Sequence, residues 1–421
     1  IAFFCLSVCV LRRQDALHVS GFSALPSSLQ HVDVSRKFRW TSHSAASWPI
    51  PQRNYHRCDD DARRRRTSSR LSLASSSSTS PFASVPCNDG TLIVQRAIAS
   101  EKNGGTGNRD DDDNGTQEFN IAYKIFRPMA LSSRQAAPVI VLHGGPSVPS
   151  NYLWPLVHAI PYRSIVVYDQ LGCGESDEPS SSSSSQENGA QQHDNTNDYY
   201  SINLAVQDLK ALIKKLGIRR YHLYGQSFGG ILAYEFLKRM ADDDDANSDD
   251  IDDDEGCLSV VLSSTPSNVK VVEQEAQRLI DELNMGGNDA DNSNSNGNND
   301  DNGNGNVDIA EAFRRAHQCR TEEMPQPLAD AYAKAGTTWR GTAAISDYVA
   351  EATPNAAKLP SCMMMRGEHD FVTKLCTEDW KTMFPKRRLR EKVLKDCSHH
   401  GLLENPLMYG DLLESFFAEY D

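Results

Sequence analysis

The pattern of apolar and polar positions along the chain predicts a parallel β-sheet. Four short runs are almost continuously apolar and lack the polar alternation of a strand with one face in solvent. A helix with one apolar face is predicted at 202–216, and Gly217 ends it. Alternating strands and helices of this kind indicate an α/β fold, with helices on both faces of the sheet. The apolar runs are residues 138–142, 164–168, 221–224 and 258–262.

The pattern changes on either side of these runs. Two antiparallel strands are predicted at 91–95 and 119–126, joined by a Gly- and Asp-rich loop. After residue 265 the periodicity becomes helical, and an Asn-, Gly- and Asp-rich tract at 286–306 cannot bury a core. A helical insertion this late in a sheet has the layout of a cap. The helices are predicted at 271–283, 309–319 and 328–335, further strands at 361–367 and 392–394, and a final helix at 406–420.

We therefore predict four segments. The first is a targeting leader or disordered tail, and the second and fourth form one α/β domain that the helical cap interrupts. Their bounds are 1–84, 85–265 for the first part of the domain, 266–355 for the cap and 356–421 for the last part.

The turn after the third apolar run fits the Gly-x-Ser-x-Gly nucleophile elbow, with Gly225, Ser227 and Gly229 at the fixed positions. Such a turn holds the serine in a strained conformation between a strand and a helix, which pass too close for a Cβ at the glycines. The helix N-terminus suits a developing oxyanion. The pattern alone is short, and an ordinary strand–turn–helix with a solvated serine also fits it.

Two later strand ends supply an acid and a base. The strand at 361–367 leads into Glu368 and Asp370, and the strand at 392–394 leads into His399 and His400. We favour Asp370 as the acid because Glu368 lies closer to the strand end. Spacing alone leaves the two histidines equal. A serine hydroxyl needs a histidine to take its proton, and the histidine needs a carboxylate to fix its tautomer.

The chain order Ser, Asp, His is that of the α/β-hydrolase fold. The fold prediction is a mostly parallel sheet with helices on both faces and a helical cap inserted late. Ligands of such sheets lie at the carboxyl ends of the strands, where all three residues are predicted. There we expect His143 to brace a glycine loop rather than act as a second base, and Asp169 to organise its own turn. Residues 363–365 are predicted to be core strand.

Several motifs occur together in this chain: His143-Gly144-Gly145-Pro146, Asn151-Tyr152-Leu153, residues 169–176 and residues 225–230. Together they resemble the proline iminopeptidase (prolyl aminopeptidase) family of serine α/β-hydrolases. The resemblance extends from about residue 120 to the C-terminus, outside the acidic insertions. The family's C-terminal motif matches Ser398 and His399, followed by Glu404 and Pro406, which favours His399 over His400. Its cap element matches residues 317–320.

The resemblance implies release of an N-terminal proline, or another small residue, from short peptides with a free N-terminus. Ser227 would attack the first peptide carbonyl, and the backbone N–H groups of Gly145 and Phe228 would hold the oxyanion. Gly144 and Glu311 are assigned to substrate binding, with Glu311 reading the free amine, since a cation in a closed site needs a carboxylate. The other interpretation of Glu311 is a solvated charge on a helix face.

Two departures from the family pattern bear on specificity. Ser147 stands where the family has a glycine, and the second cap glutamate has no counterpart in residues 338–344. This loss weakens the case for exopeptidase specificity more than the case for hydrolysis. One alternative is therefore a related esterase or an amidase of different acyl specificity. Another is a catalytically silent ligand-binding relative.

Charge and cysteine usage narrow the function classes. The acidic insertions at 110–113, 242–255 and 286–308 carry 19 negative charges, more than the net charge of −14, so the net charge says little about substrate. Outside the N-terminal 70 residues we see no basic stripe for nucleic acid, and no apolar run is long enough to span a bilayer. The ten cysteines are scattered, without metal-ligand spacing. We expect free thiols, no metal and no organic cofactor.

The N-terminal segment has the composition of a targeting sequence. Residues 1–11 form an apolar run of signal-peptide length, and residues 12–80 are rich in Ser and Arg and poor in acids. This combination predicts a two-part leader for a plastid. The alternative is a disordered tail, or a mispredicted exon, on a cytoplasmic protein. Because the first residue is Ile1 rather than Met, we expect the true start to lie upstream.

Overall fold

The computed structural model describes residues 86–97, 116–130, 136–179, 199–243, 256–290, 308–336 and 345–421, with the backbone alone for 286–290. The leader predicted at 1–84 lies outside the described residues. So do the acidic stretch 110–113 and most of the insertions at 242–255 and 286–308. The four segment boundaries stay a prediction.

Eight strands of the described residues form one sheet in the order β1-β2-β4-β3-β5-β6-β7-β8. β1 pairs antiparallel with β2 and β2 antiparallel with β4, whereas all the other neighbours are parallel. The predicted antiparallel pair and the mostly parallel sheet are thus confirmed. The strands are β1 Cys87–Ala97, β2 Thr116–Phe126, β3 Val139–Leu142, β4 Ile165–Tyr168, β5 Arg220–Gln226, β6 Gly256–Ser263, β7 Ser361–Gly367 and β8 Leu389–Leu394.

Helices connect these strands. The helices are α1 Leu156–Ala159, α2 Ile202–Leu216, α3 Phe228–Asp242, α4 Val269–Ala290, α5 Ile309–Phe313, α6 Gln326–Ala333, α7 Lys374–Thr377, α8 Trp380–Met383, α9 Gly401–Glu404 and α10 Pro406–Tyr420. Short 3₁₀ turns cover Ser150–Leu153 and Ala356–Lys358, and a π-helical turn covers Arg314–Gln318. In the described part of the chain, we find no helix with both the length and the apolar character needed to cross a membrane.

The core lies on both faces of the sheet, as the apolar runs predict. In β3, Ile140 and Leu142 belong to the cluster that includes helices α2 and α3, whereas Val139 and Val141 belong to the cluster with α1 and α10. All four side chains are fully buried. Alternate residues of one strand therefore pack against helices on opposite faces of the sheet. Burial of each aliphatic side chain contributes roughly 1.5–3 kcal/mol to the free energy of folding.

The segment between β6 and β7 is helical, as predicted, and we call it the cap. Its second helix differs from the prediction, because the α-helix ends at Phe313 and continues as the π turn. The Cys319 N–H donates to the Arg314 carbonyl at 2.7 Å, and the Arg314 guanidinium donates to the Cys319 carbonyl at 2.8 Å. These two bonds favour the wider turn. β8 also begins earlier than predicted, at Leu389.

Candidate active site

Ser227 lies in the turn between β5 and α3, at the carboxyl edge of the sheet. Its backbone has φ = 54° and ψ = −119°, a combination that L-residues rarely adopt and that costs about 1–3 kcal/mol. Two backbone hydrogen bonds hold it there. Its N–H donates to the Ser263 carbonyl at 2.8 Å, and its own carbonyl accepts from the Gly230 N–H at 3.0 Å. The strained elbow predicted from the motif is therefore present.

The elbow glycines are required by close backbone approach. A Cβ on Gly229 would lie 2.0 Å from the Leu142 carbonyl oxygen at the end of β3. A Cβ on Gly225 would lie 2.3 Å from the carbonyl oxygen of Gly229. Both distances are far below van der Waals contact, so helix α3 can approach the sheet this closely only with glycine at these positions.

Asp370 and His399 form a buried acid–base pair. His399 Nδ1 lies 2.9 Å from Asp370 Oδ1, and the side chains of His399 and Asp370 are 1% and 0% exposed respectively. Asp370 Oδ1 also accepts the Val372 N–H at 2.8 Å. Because a carboxylate oxygen accepts hydrogen bonds, Nδ1 of His399 carries the proton that it donates to Asp370. This is the tautomer that a general base requires.

The His399 Nε2 atom is available to accept a proton. It is buried and has no hydrogen-bond partner among the described residues, so its bond to the Ser227 hydroxyl is not formed here. The His399 carbonyl accepts from Gln226 Nε2 and from Ser264 Oγ, each at 3.4 Å. The base loop is thus attached to the strand end that carries Ser227. Bonds between a nucleophile and its base are often long in free enzymes and shorten with substrate.

Of the two candidate acids, the structure brings Asp370 to the base. Glu368 is exposed, and its Oε2 accepts the Asp396 N–H at 3.1 Å. The ligand atoms of Glu368, His369 and Asp396 lie within 4.8 Å of one another, so these three residues could hold a cation. Exposed groups of this kind are common without an ion, and their mutual contacts account for the arrangement.

Of the two candidate bases, the structure brings His399 to the acid. The neighbouring His400 is buried, its ring nearly perpendicular to that of His399 at 5.2 Å. Its Nε2 lies 3.4 Å from the Tyr332 hydroxyl in the cap. Burial lowers the pKa of His400 well below 6.5, so the ring stays neutral there. His400 therefore connects the base loop to the cap.

The glycine loop after β3 lies against the elbow. A Cβ on Gly144 would be 3.1 Å from the Ser227 Cβ. Gly145 has φ = 114°, which favours glycine, and the peptide between Gly145 and Pro146 is cis. Phe228 is the first residue of α3, at the positive end of the helix dipole. Phe228 directly follows Ser227, and Gly145 follows the glycine that lies against Ser227, so their role in an oxyanion hole stays a prediction.

A buried hydrogen-bond chain that the sequence reasoning missed joins these loops. The Gly144 N–H donates to the Tyr152 hydroxyl at 2.8 Å, and this hydroxyl donates to Gln226 Oε1 at 2.6 Å. Gln226 Nε2 then reaches the His399 carbonyl. Tyr152 thus links the glycine loop, the elbow and the base loop. Its place in the Asn151-Tyr152-Leu153 motif was the available signal.

His143 and Asp169 have the structural roles predicted for them. His143 is fully buried: its Nδ1–H donates to the carbonyl of the next residue at 2.9 Å, and its Nε2 accepts the Gln170 N–H at 2.9 Å. Burial lowers the pKa of His143, which keeps the ring neutral. The Asp169 carboxylate accepts the N–H groups of Ser150 and Glu175 at 2.8 and 3.0 Å. Both residues shape loops at the site.

Glu311 lies in the cap and is bound by two arginines. Its carboxylate accepts from Arg314 Nε and Nη2 at 2.8 and 2.7 Å and from Arg315 Nε at 2.9 Å. These hydrogen bonds, that of Arg314 first, lower the pKa of Glu311. Its side chain is 46% exposed, whereas that of Arg314 is 3% exposed. These contacts favour a scaffold role for Glu311, and its role as a substrate ligand stays a prediction.

The cysteines and residues 363–365 have the states that were predicted from the sequence. All seven cysteines in the described residues are free thiols, as expected. Residues 363–365 are buried in β7. Neither group contributes an atom to the Asp370–His399 pair.

Comparisons with known proteins show the family and the fold of this chain. Residues 139–409 match the family model described as "Alpha/beta hydrolase family". A proline iminopeptidase of Lactobacillus helveticus is 24% identical over 314 residues, which cover 72% of this chain and 96% of the relative. One of Saccharolobus solfataricus is 28% identical over 212 residues, covering 50% and 58% of the two chains.

Two solved structures show the same fold. The proline iminopeptidase of Mycobacterium smegmatis has a TM-score of 0.54 at 21% identity and covers 72% of this chain and 95% of its own. VinJ has a TM-score of 0.51 at 20% identity, with coverage of 78% and 99%. At these identities the likeness concerns the fold alone.

Proposed function

The chain belongs to the alpha/beta hydrolase family, and we propose that it is a serine hydrolase with Ser227 as nucleophile, His399 as base and Asp370 as acid. The observation that carries the proposal is the buried Asp370–His399 hydrogen bond of 2.9 Å, which leaves His399 Nε2 unpartnered among the described residues. The His399 loop is bound to Gln226, the residue before Ser227. A strained serine, an imidazole and a buried carboxylate bound to that imidazole are the three parts that acyl transfer requires.

The reaction would proceed through an acyl-enzyme. Ser227 Oγ attacks the substrate carbonyl carbon while His399 Nε2 takes the hydroxyl proton. The oxyanion that forms accepts hydrogen bonds from the N–H groups of Gly145 and Phe228, aided by the dipole of α3. His399 then gives its proton to the leaving amine, which departs and leaves the acyl group on Ser227. Water next attacks the carbonyl carbon of this acyl-enzyme while His399 takes a proton from it. His399 returns that proton to Ser227 Oγ as the bond to the acyl group breaks and the acid is released. Asp370 stabilises the imidazolium throughout and does not itself take up the proton.

We further propose that the substrate is a short peptide with a free N-terminal proline or another small residue. It is supported by the His143–Pro146 loop, the turn at 169–176 and the proline iminopeptidases among the relatives. A substrate ammonium in a closed site needs a carboxylate partner. Glu311 is the residue that the resemblance names, and it would have to share its carboxylate with Arg314 and Arg315.

A second candidate is an esterase or an amidase of different acyl specificity. The observation that favours it is the neutralisation of Glu311 by two arginines, in a chain that lacks the second cap glutamate. Such an enzyme would use the same three residues and would not require a free amine.

Hydrolysis of proline β-naphthylamide beside its N-acetylated form separates the two candidates. The aminopeptidase proposal expects cleavage of the free-amine substrate alone, and loss of that cleavage in Ser227→Ala. Cleavage of both substrates would support the second candidate. If Ser227→Ala retained the wild-type rate, the serine hydrolase proposal itself would be wrong.

The Glu311→Gln variant tests the ammonium ligand. A substrate role expects KM to rise for the free-amine substrate, with little change in the melting temperature. A scaffold role expects a lower melting temperature and an unchanged KM, because Arg314 would lose its charged partner inside the cap.

A further inference from the structure

The π turn of the cap, Arg314–Gln318, is bound to both loops that carry the acid–base pair. The His317 carbonyl accepts the N–H groups of Phe371 and His399, each at 3.4 Å. The next carbonyl, of Gln318, accepts the His400 N–H at 3.1 Å. One short segment of the cap thus contacts the acid loop and the base loop through backbone atoms.

The His317 side chain adds a shorter bond to the acid loop. Its Nδ1 lies 2.9 Å from the carbonyl oxygen of His369, the residue before Asp370. A carbonyl oxygen only accepts, so Nδ1 of His317 carries the proton and donates it. The backbone on both sides of Asp370 is therefore held by His317, through the His369 carbonyl and the Phe371 N–H.

Aromatic side chains also connect the cap with the acid loop and the base loop. The Phe371 ring lies 4.3 Å from the His399 ring, tilted by 33°. Phe313 contacts both Phe371, at 5.9 Å between ring centres, and His317, at 5.4 Å. The cap residue Phe313 therefore reaches the ring of the base through Phe371 of the acid loop, and His317 contacts the acid loop itself.

Hydrogen bonds of Arg314 hold the π turn in place within the cap. The buried Arg314 guanidinium donates to the carbonyls of Cys319 and Thr321 and is paired with Glu311. The π turn is closed by the 2.7 Å bond from the Cys319 N–H to the Arg314 carbonyl. π-helical turns are frequent at functional sites. Here the turn directs two successive carbonyls at the base loop.

We propose that His317 is a positioning residue for catalysis: its Nδ1–H, bound to the His369 carbonyl, holds Asp370 in register with His399. This inference rests on the proposed function, in which that pair serves Ser227. Misplacement of a catalytic group by about 1 Å costs on the order of 100-fold in rate. Among the described residues, His317 makes no hydrogen bond to the side chains of Ser227, Asp370 or His399.

Two substitutions separate the donated hydrogen bond from the bulk of the ring. His317→Asn keeps an N–H donor close to the Nδ1 position, whereas His317→Leu keeps the volume and loses the donor. We expect His317→Leu to lower kcat by about 10- to 100-fold with KM within about threefold of wild type. We expect His317→Asn to restore kcat to within about threefold. Both variants should keep a cooperative unfolding transition, with Tm lowered by no more than about 4 °C.

A spectroscopic readout makes the test independent of substrate. The downfield proton NMR resonance of the His399 Nδ1–H, assigned by its loss in Asp370→Asn, should persist in His317→Asn and broaden or shift in His317→Leu. An unchanged kcat and resonance in His317→Leu would overturn the inference, as would equal impairment of both variants. If the wild-type enzyme cleaved no substrate, the proposed function would fail, and the resonance would still decide the role of His317.

Discussion

At the scale of single residues, the site depends on which carboxylate faces the base. Asp370 is buried and bound to His399 Nδ1, whereas Glu368, two residues earlier, is exposed and bound to a backbone N–H. Burial matters because a desolvated carboxylate interacts more strongly with the imidazolium that forms during the reaction. The two acids are close in sequence and have opposite environments.

Paired substitutions of these acids test the assignment. Asp370→Asn keeps the size of the side chain but lets its amide donate to His399, which favours the wrong tautomer, so we expect kcat to fall by about 10⁴-fold. Glu368→Gln is the matched control and should stay within about threefold of wild type, because its side chain does not face the base. Steady-state kinetics of the two variants decides. Equal losses in both would show that the acid is not Asp370 alone.

At the scale of elements, the elbow depends on how closely α3 approaches β3. Gly229 is in contact with the Leu142 carbonyl, where a Cβ has no room. Gly217, at the end of α2, is in a different situation: it has φ = 62° and open space around the Cβ position. One glycine is required by contact and the other by backbone conformation only.

The two glycines should therefore respond differently to alanine. Gly217→Ala should cost about 1 kcal/mol, the strain of a left-handed alanine, and keep activity. Gly229→Ala should displace α3 from the sheet, lower stability by several times that amount and abolish labelling of Ser227 by a fluorophosphonate. Urea unfolding and labelling measure both effects. A Gly229→Ala protein as stable and reactive as Gly217→Ala would contradict the packing described here.

The elements that could be predicted from the sequence are those whose apolar residues form a continuous or periodic pattern. The buried strands β3 to β7 and the helices α2 and α10 have continuous or periodic apolar patterns, so their existence was readable. β8 begins with Leu389 and three charged residues on the exposed edge of the sheet, where no apolar run marks a strand. The π turn after Phe313 depends on hydrogen bonds between Arg314 and the backbone that follows the turn, and the spacing of apolar residues does not reveal these bonds.

The site shows the same division. Ser227, Asp370 and the glycine loop follow from motif spacing and strand ends. The choice of His399 over His400 needed the family motif, and the structure agrees with it. The Tyr152–Gln226 chain and the cap contact of His317 join residues far apart in sequence, so only the folded chain reveals them.

At the scale of the whole molecule, the end of the last helix is bound to the middle of the sheet. Asp421 accepts from Arg163 Nη2 at 3.1 Å and from His222 Nε2 at 3.1 Å, and the Ser259 hydroxyl contacts His222 Nδ1 at 2.8 Å. Arg163 and His222 are buried. The last helix, the loop before β4 and strand β5 are thus joined by one polar cluster below the site.

This cluster predicts a stability change in mild acid. Burial, the largest influence, lowers the pKa of His222 to about 4, below the ordinary value of 6.5. Between these two values the unfolded chain binds more protons at this residue than the folded chain does. The free energy of unfolding should therefore fall as the pH drops from 6.5 to about 4, by up to about 3 kcal/mol from this group, and the contribution should then level off.

Comparison with His222→Gln isolates that contribution. Glutamine does not titrate, so urea unfolding at several pH values should give a flatter curve for the variant across this window. Parallel curves for the two proteins would show that His222 does not carry the predicted dependence.

We propose that Ser227 is a nucleophile activated by His399, and covalent labelling tests this activation most directly. A fluorophosphonate probe should modify the folded wild-type protein at one site, and peptide mass spectrometry should map the adduct to Ser227. His399→Ala should slow the labelling by more than 100-fold, whereas His400→Ala should slow it much less if the fold is kept. An unlabelled Ser227, or an adduct whose rate does not depend on His399, would contradict the account.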